Sequence, residues 1–92
     1  MEKEIKWTAN SRKDFWDVVL YLTENWPEVV VNKFYHSLNL KIQLIQKQPN
    51  IGFKSYQYSR FRKTLVTPHY ILIYTVTKYH IVIHRLKHSS MK

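Results

Sequence analysis

The first half of the chain carries apolar residues at helical spacing. Phe15, Val18, Val19, Leu22 and Trp26 fall at i, i+3, i+4, i+7 and i+11, the stripe of an amphipathic helix running from Ser11 to Asn25. Asn10 or Ser11 is placed to cap its start, and Asp14 and Asp17 lie in its early turns, where negative charge suits the helix dipole. Trp26-Pro27 ends it, because a residue before proline is pushed out of the helical region while Pro27 can open the next helix. Val31, Phe34, Leu38, Ile42 and Ile45 then mark a second helix from Glu28 to Lys47. So short a connection predicts an antiparallel helical hairpin. A second apolar row, Leu40 and Leu44, widens the apolar face and predicts a more deeply buried helix.

Pro49-Asn50-Ile51-Gly52 breaks the second helix, and a loop with Phe53, Lys54, Tyr56, Tyr58 and Arg60 follows. Basic residues interleaved with aromatics can stack on and neutralise nucleic acid; the alternative, rings packed on the core, is the expectation here. Three β-rich runs come next, Phe61 to Thr67, Tyr70 to Thr77 and His80 to Lys87, separated by Pro68-His69 and Lys78-Tyr79. Two-residue gaps predict an antiparallel meander, to which Lys3 to Trp7 can add a fourth strand. The order β, α, α, β, β, β gives an α+β domain of two layers, a helical hairpin across one face of a mainly antiparallel sheet of three to four strands.

Pairing Thr67 with Tyr70 and Thr77 with His80 across the two turns sorts the side chains by parity. One face collects Phe61, Lys63, Leu65, Tyr70, Leu72, Tyr74, Val76, Ile81, Ile83, Arg85 and Lys87. The other collects Arg62, Thr64, Val66, Ile71, Ile73, Thr75, Val82, His84, Leu86 and His88. The middle strand is apolar on both faces, yet both helices are already assigned to one. An uncovered apolar strip with a basic rim is expected, and such a strip marks an interaction site.

The chain has 92 residues, enough for one modest core, so residues 1–92 are taken as a single domain. Its 15 Lys plus Arg face 6 Asp plus Glu. All the excess lies after residue 46, where nine cations and four of the five His stand without one carboxylate. Such segregation points to a partner of negative charge. There is no Cys, which excludes disulfides and thiolate metal sites. The charged start lacks the apolar stretch of a signal peptide, and the longest uncharged run, Thr64 to Thr77, is shorter than the roughly 20 residues of a spanning helix. A soluble cytoplasmic protein with no membrane partner is expected. A single Gly excludes a Gly-rich phosphate loop. On a strand His80 and His84 stand about 13 Å apart, too far to share a metal, and no cofactor is expected.

The chain resembles the RelE/ParE superfamily of bacterial type II toxins along nearly its whole length. The resemblance rests on Lys13-Asp14-Phe15-Trp16-Asp17-Val18, on Tyr21-Leu22 followed by Trp26, and on Ile45-Gln46-Lys47-Gln48-Pro49-Asn50-Ile51-Gly52. It continues through Phe61-Arg62-Lys63-Thr64-Leu65, Ile71-Leu72-Ile73-Tyr74-Thr75-Val76 and a final strand leading to His88. It implies a toxin neutralised by an antitoxin whose acidic or amphipathic segment wraps it. That segment would cross Val66, Ile71, Ile73 and Leu86, with Arg62, Lys63 and Arg85 at the rim. RelE-like members cut mRNA on the ribosome, whereas ParE-like members inhibit DNA gyrase.

The basic positions of the RelE-like nucleases fall at Arg62, Thr64, Ile71 and about Met91, of which Arg62 alone is basic. RNA cleavage by a ribose hydroxyl needs a base, an acid and cations at the phosphate, so the ParE-like reading is preferred and gyrase is the expected target. The enzyme alternative is an mRNA endoribonuclease using Arg62, Lys63, His84 and His88, with His69 beside His88 in the turn. A further alternative, a basic RNA-binding module without toxicity, rests on charge alone.

Overall fold

The computed structural model describes residues 2–57 and 60–90. Strand β1 (Glu4–Trp7) leads into helix α1 (Ala9–Asn25) and helix α2 (Glu28–Lys47). A 3₁₀ turn at Pro49–Ile51 precedes strands β2 (Phe53–Lys54), β3 (Arg62–Thr67), β4 (Tyr70–Val76) and β5 (His80–His88). The sheet order is β1-β5-β4-β3-β2; β1 runs parallel to β5 and the other pairs are antiparallel. This is the expected two-layer α+β arrangement with five strands instead of three to four. The extra one, β2, is two residues long, too short for any alternation to announce it.

The start of α1 lies earlier than expected. Thr8 is the cap: its hydroxyl accepts from the Ser11 N–H at 3.1 Å, and the buried Ser11 hydroxyl donates back to the Thr8 carbonyl at 2.9 Å. The Thr8 N–H donates to the Ile83 carbonyl at 3.1 Å, so the cap also bolts the helix to β5. Neither Asp14 nor Asp17 sits in the first turn; Asp17 pairs with Lys13 at 2.9 Å and Asp14 serves the sheet. The hairpin breaks at Trp26-Pro27 as predicted, with Pro27 at the cap of α2.

Val18 and Leu22 of α1 and Val31, Phe34, Leu38 and Ile45 of α2 meet Val66, Tyr70, Leu72, Tyr74, Ile81, Ile83 and Leu86 of the sheet in one core. Leu40 and Leu44 are not part of it: they stay 53% and 40% exposed, so α2 is buried along one stripe only. The loop aromatics also depart from expectation, since Phe53 and Tyr56 project into solvent rather than onto the core. Tyr58 lies outside the described residues.

Two bulges overturn the predicted sorting of the sheet faces. In β3, Leu65 pairs with Ile71 and Thr67 with Tyr70, which leaves Val66 as an extra residue. In β5, Ile83 pairs with Tyr74 and Arg85 with Ile73, which leaves His84 as an extra residue. Each extra residue reverses the parity of the strand beyond it. Arg62, Thr64, Val66 and Leu86 therefore join Leu72 and Tyr74 beneath the helices, while Lys63, Leu65 and Lys87 join Ile71 and Ile73 on the other face. The physical reason is the core: inward placement of Ile81, Ile83 and Leu86 requires a three-residue step that strict alternation does not provide.

Candidate functional site

Among the described residues no helix or loop covers the second sheet face. Its centre is Ile73, which stands opposite Lys63 on β3 and Arg85 on β5. Around it lie Leu65, Ile71 and Val82, with Leu65 54% exposed. Lys6 opposite Val82, Lys63 and Lys87 opposite Ile71 ring this strip with positive charge. An apolar centre with a cationic rim is thus present, but its membership differs from the sequence prediction: of Val66, Ile71, Ile73 and Leu86 only Ile71 and Ile73 offer it their side chains, and of the rim residues Lys63 and Arg85 flank Ile73 while Arg62 turns beneath the helices. Val66 and Leu86 are buried in the core.

Both predicted rim arginines have structural partners. The guanidinium of Arg85 reaches Asp14 on α1, with Nε donating to Oδ2 at 2.7 Å and Nη2 to Oδ1 at 3.2 Å. Asp14 Oδ2 also accepts the Leu86 backbone N–H at 3.0 Å. Beyond Trp7 there is no β1 residue to pair with β5, and this carboxylate takes the place of a strand carbonyl at that edge. Burial pushes the Asp14 carboxyl up, but hydrogen bonds from Arg85 and Leu86 and the Arg85 charge outweigh it and hold the group below its ordinary range.

Arg62 Nη1 donates to the carbonyls of Asn50 at 3.0 Å and Gly52 at 2.9 Å. Beside it the fully buried Tyr74 donates its hydroxyl to the Pro49 carbonyl at 2.8 Å and accepts the Gly52 N–H at 3.0 Å. Burial, only partly offset by the Gly52 N–H and the Arg62 charge, pushes the Tyr74 phenol up. These two side chains pin the turn after α2 to the sheet. Sequence spacing gave Tyr74 no such role and read Asp14 only as a helix-dipole charge and Gly52 only as part of a helix break; the lone Gly in the chain was the available signal for this turn.

The candidate histidines are separated. His84 faces Thr75, with Nε2 2.9 Å from Oγ1, and its ring stacks on Phe61 at 5.0 Å between centroids. Burial first, then the Arg60 charge, lowers its pKa, so it is neutral at pH 7. His88 lies across from Tyr70 at the other end of β5. Its ring stacks on His69 at 6.1 Å, as the turn placement predicted, and Nδ1 accepts the Ser90 N–H at 3.2 Å. Four residues of strand put His84 and His88 about 13 Å apart. Arg62 and His84 border one pocket at the sheet end, but Lys63 lies on the opposite sheet face from Arg62 and His88 stands further along β5, so the four nuclease candidates do not all converge on one reacting atom. Met91 lies outside the described residues.

The His69–His88 pair instead borders an aromatic groove of about 720 Å³ under the tip of the helical hairpin, lined by Tyr21, Trp26, Lys33, Phe34 and Tyr70 among others. The exposed Trp26 on its rim belongs to the helix-ending pair that the sequence marked.

A family model described as the ParE toxin of type II toxin-antitoxin systems matches residues 5–92. The chain belongs to this family. It is a toxin of the RelE/ParE superfamily, as the order of its motifs implied. No curated protein matches the sequence. Among solved structures, the fold is similar to that of the chromosomal ParDE toxin-antitoxin system of P. aeruginosa, with a TM-score of 0.76 and 17% identity over 95% of this chain and 96% of that one. It is also similar to the YoeB dimer of Staphylococcus aureus (TM-score 0.67, 18% identity, 95% and 97% covered) and to the E. coli DinJ-YafQ complex (TM-score 0.66, 17% identity, 96% and 93% covered). At these identities the likeness is one of fold, and it spans both ParE and RelE-like branches. No helix among the described residues is long and apolar enough to cross a membrane.

Proposed function

We propose that this ParE-family toxin acts in the cytoplasm, arrests growth by binding DNA gyrase without cutting RNA, and is held inactive by a cognate antitoxin. The observation that carries the choice of target is the dispersal of the nuclease candidates. Arg62 is tied to two backbone carbonyls, Lys63 lies on the opposite sheet face, His88 stands four residues along β5 from His84, and the other basic positions of RelE-like nucleases are Thr64 and Ile71 here. Proton transfer needs groups within hydrogen-bond reach of one substrate, and phosphate chemistry needs preorganised cations there. For the antitoxin, the open sheet face supports an amphipathic segment that lays Leu, Ile or Val on Leu65, Ile71, Ile73 and Val82 and sets carboxylates against Lys6, Lys63 and Lys87. Burial of about 600 to 800 Å² per partner makes a normal specific interface.

The experiment is induced expression without the antitoxin, followed by a supercoiling assay with purified gyrase and sequencing of RNA 5′ ends. Growth arrest, loss of supercoiling and an unchanged set of RNA ends are expected. New cuts inside translated frames, with supercoiling intact, would overturn the choice of target in favour of the mRNA endonuclease.

A further inference from the structure

Next to the apolar strip, at the sheet end where Thr75 pairs with Val82, the protein has a second concave surface. β4 continues two residues past Tyr74, its partner to the first residue of β3, and this overhang opens a pocket of about 500 Å³ at the sheet end. Lys54, Arg60 and Arg62 line it together with Phe61, Thr75 and His84. No carboxylate occurs after Glu28 in the chain, and the ion pairs among the described residues lie elsewhere, at Lys13–Asp17, His80–Glu4 and Arg85–Asp14. Three cations gathered in one concavity without an acidic partner repel one another, and a polyvalent anion relieves that repulsion.

The pocket also has fixed geometry. Two carbonyls hold Arg62 through Nη1, leaving the other guanidinium nitrogens as donors in a set orientation. The Phe61 and His84 rings stack face to face at 5.0 Å and form an aromatic wall, and the Thr75 hydroxyl fixes the imidazole. Because burial and Arg60 keep that imidazole neutral, the wall presents aromatic surface beside the cations rather than a further charge. Cations beside an aromatic wall are the elements that receive phosphate and base together. A volume of this size lies in the range of small-ligand sites and suits one nucleotide better than a strand.

We propose that this pocket binds a free nucleoside polyphosphate, with Lys54, Arg60 and Arg62 on the phosphate chain and the Phe61–His84 pair against the base. The pocket adjoins the end of the proposed antitoxin strip, where Thr75 pairs with Val82, but shares no lining residue with it, and the proposal stands independently of the choice of gyrase as target.

The test is titration calorimetry of the full chain at pH 7 and low salt with ATP, pyrophosphate, adenosine and a single-stranded DNA octamer, with the His84 and Phe61 ring signals followed by NMR. ATP and pyrophosphate should bind, adenosine should not, and ATP should shift both ring signals. Lys54→Ala and Arg60→Ala, at exposed positions, should each weaken ATP about 5- to 10-fold, the effect of losing one charge-assisted contact. Lys33→Ala on α2 should leave ATP binding unchanged. Adenosine binding as tightly as ATP, equal ATP affinity in all three variants, or binding of the octamer with no binding of ATP would each overturn the proposal.

Discussion

Asp14 accepts three hydrogen bonds, two from Arg85 and one from the Leu86 N–H, and its side chain is only 13% exposed. A group whose folded pKa lies below its ordinary value of 3.8 adds stability above that pH and loses it as pH falls through the folded value. Asp14→Asn keeps an acceptor for Leu86 but removes the charge, so urea unfolding at pH 7 should show a loss of about 1.5 to 3 kcal/mol. Repeated below pH 3, the difference between parent and variant should shrink; a difference independent of pH would refute the assignment. Gly52 makes a steric case. A Cβ there would meet the Tyr74 hydroxyl at 2.6 Å and Arg62 Cβ at 3.0 Å, so Gly52→Ala should cost about 1 to 3 kcal/mol in the same assay. Neither role was legible beforehand. Asp14 read as a helix-dipole charge because its partner is 71 residues away, and long-range pairing leaves no local pattern.

At the scale of elements, the helical hairpin and the three long strands were legible because their signals are local. Proline at position 27 stops a helix wherever the chain folds, and Pro68-His69 and Lys78-Tyr79 separate runs of β-formers. Faces were legible only up to the bulges. Ile81 and Ile83 alternate, then Leu86 comes three residues later, and that step was the available sign that His84 is extra. The start of α1 slipped for a related reason: Asn10 and Ser11 have capping side chains, but Thr8 wins because its N–H also reaches Ile83. Thermal unfolding can separate Thr8 from Asn10. Thr8→Ala should lose about 1 kcal/mol and Asn10→Ala almost nothing, since Asn10 is exposed inside the helix. A larger loss from Asn10→Ala would return the cap to the position the sequence favoured.

For the whole molecule, charge and topology act together. The carboxylates are all in the half that supplies β1 and the helices, while four of the five strands come from the half that has none. Among the described residues Asp14 pairs with Arg85, but no ion pair meets Lys6, Lys63 or Lys87 of the open face, so an acidic segment from outside is the complement it fits. Ile73 and Leu86 were expected to share that face, and the His84 bulge puts them on opposite sides. Glutamate at each position therefore separates binding from folding. Ile73→Glu adds a charge at a half-buried position between Lys63 and Arg85, so the fold should survive and circular dichroism should be unchanged. The same carboxylate would occupy the centre of the proposed antitoxin contact and repel acidic groups there, where a central contact is worth roughly 2 kcal/mol or more. Affinity for the antitoxin segment should fall at least 30-fold. Leu86→Glu puts an unpaired charge into the core at a position 3% exposed, and the protein should unfold rather than merely lose its partner. Parent-like binding by Ile73→Glu would remove the open face as the antitoxin surface, and a stable, binding-deficient Leu86→Glu would restore the register expected from alternation alone.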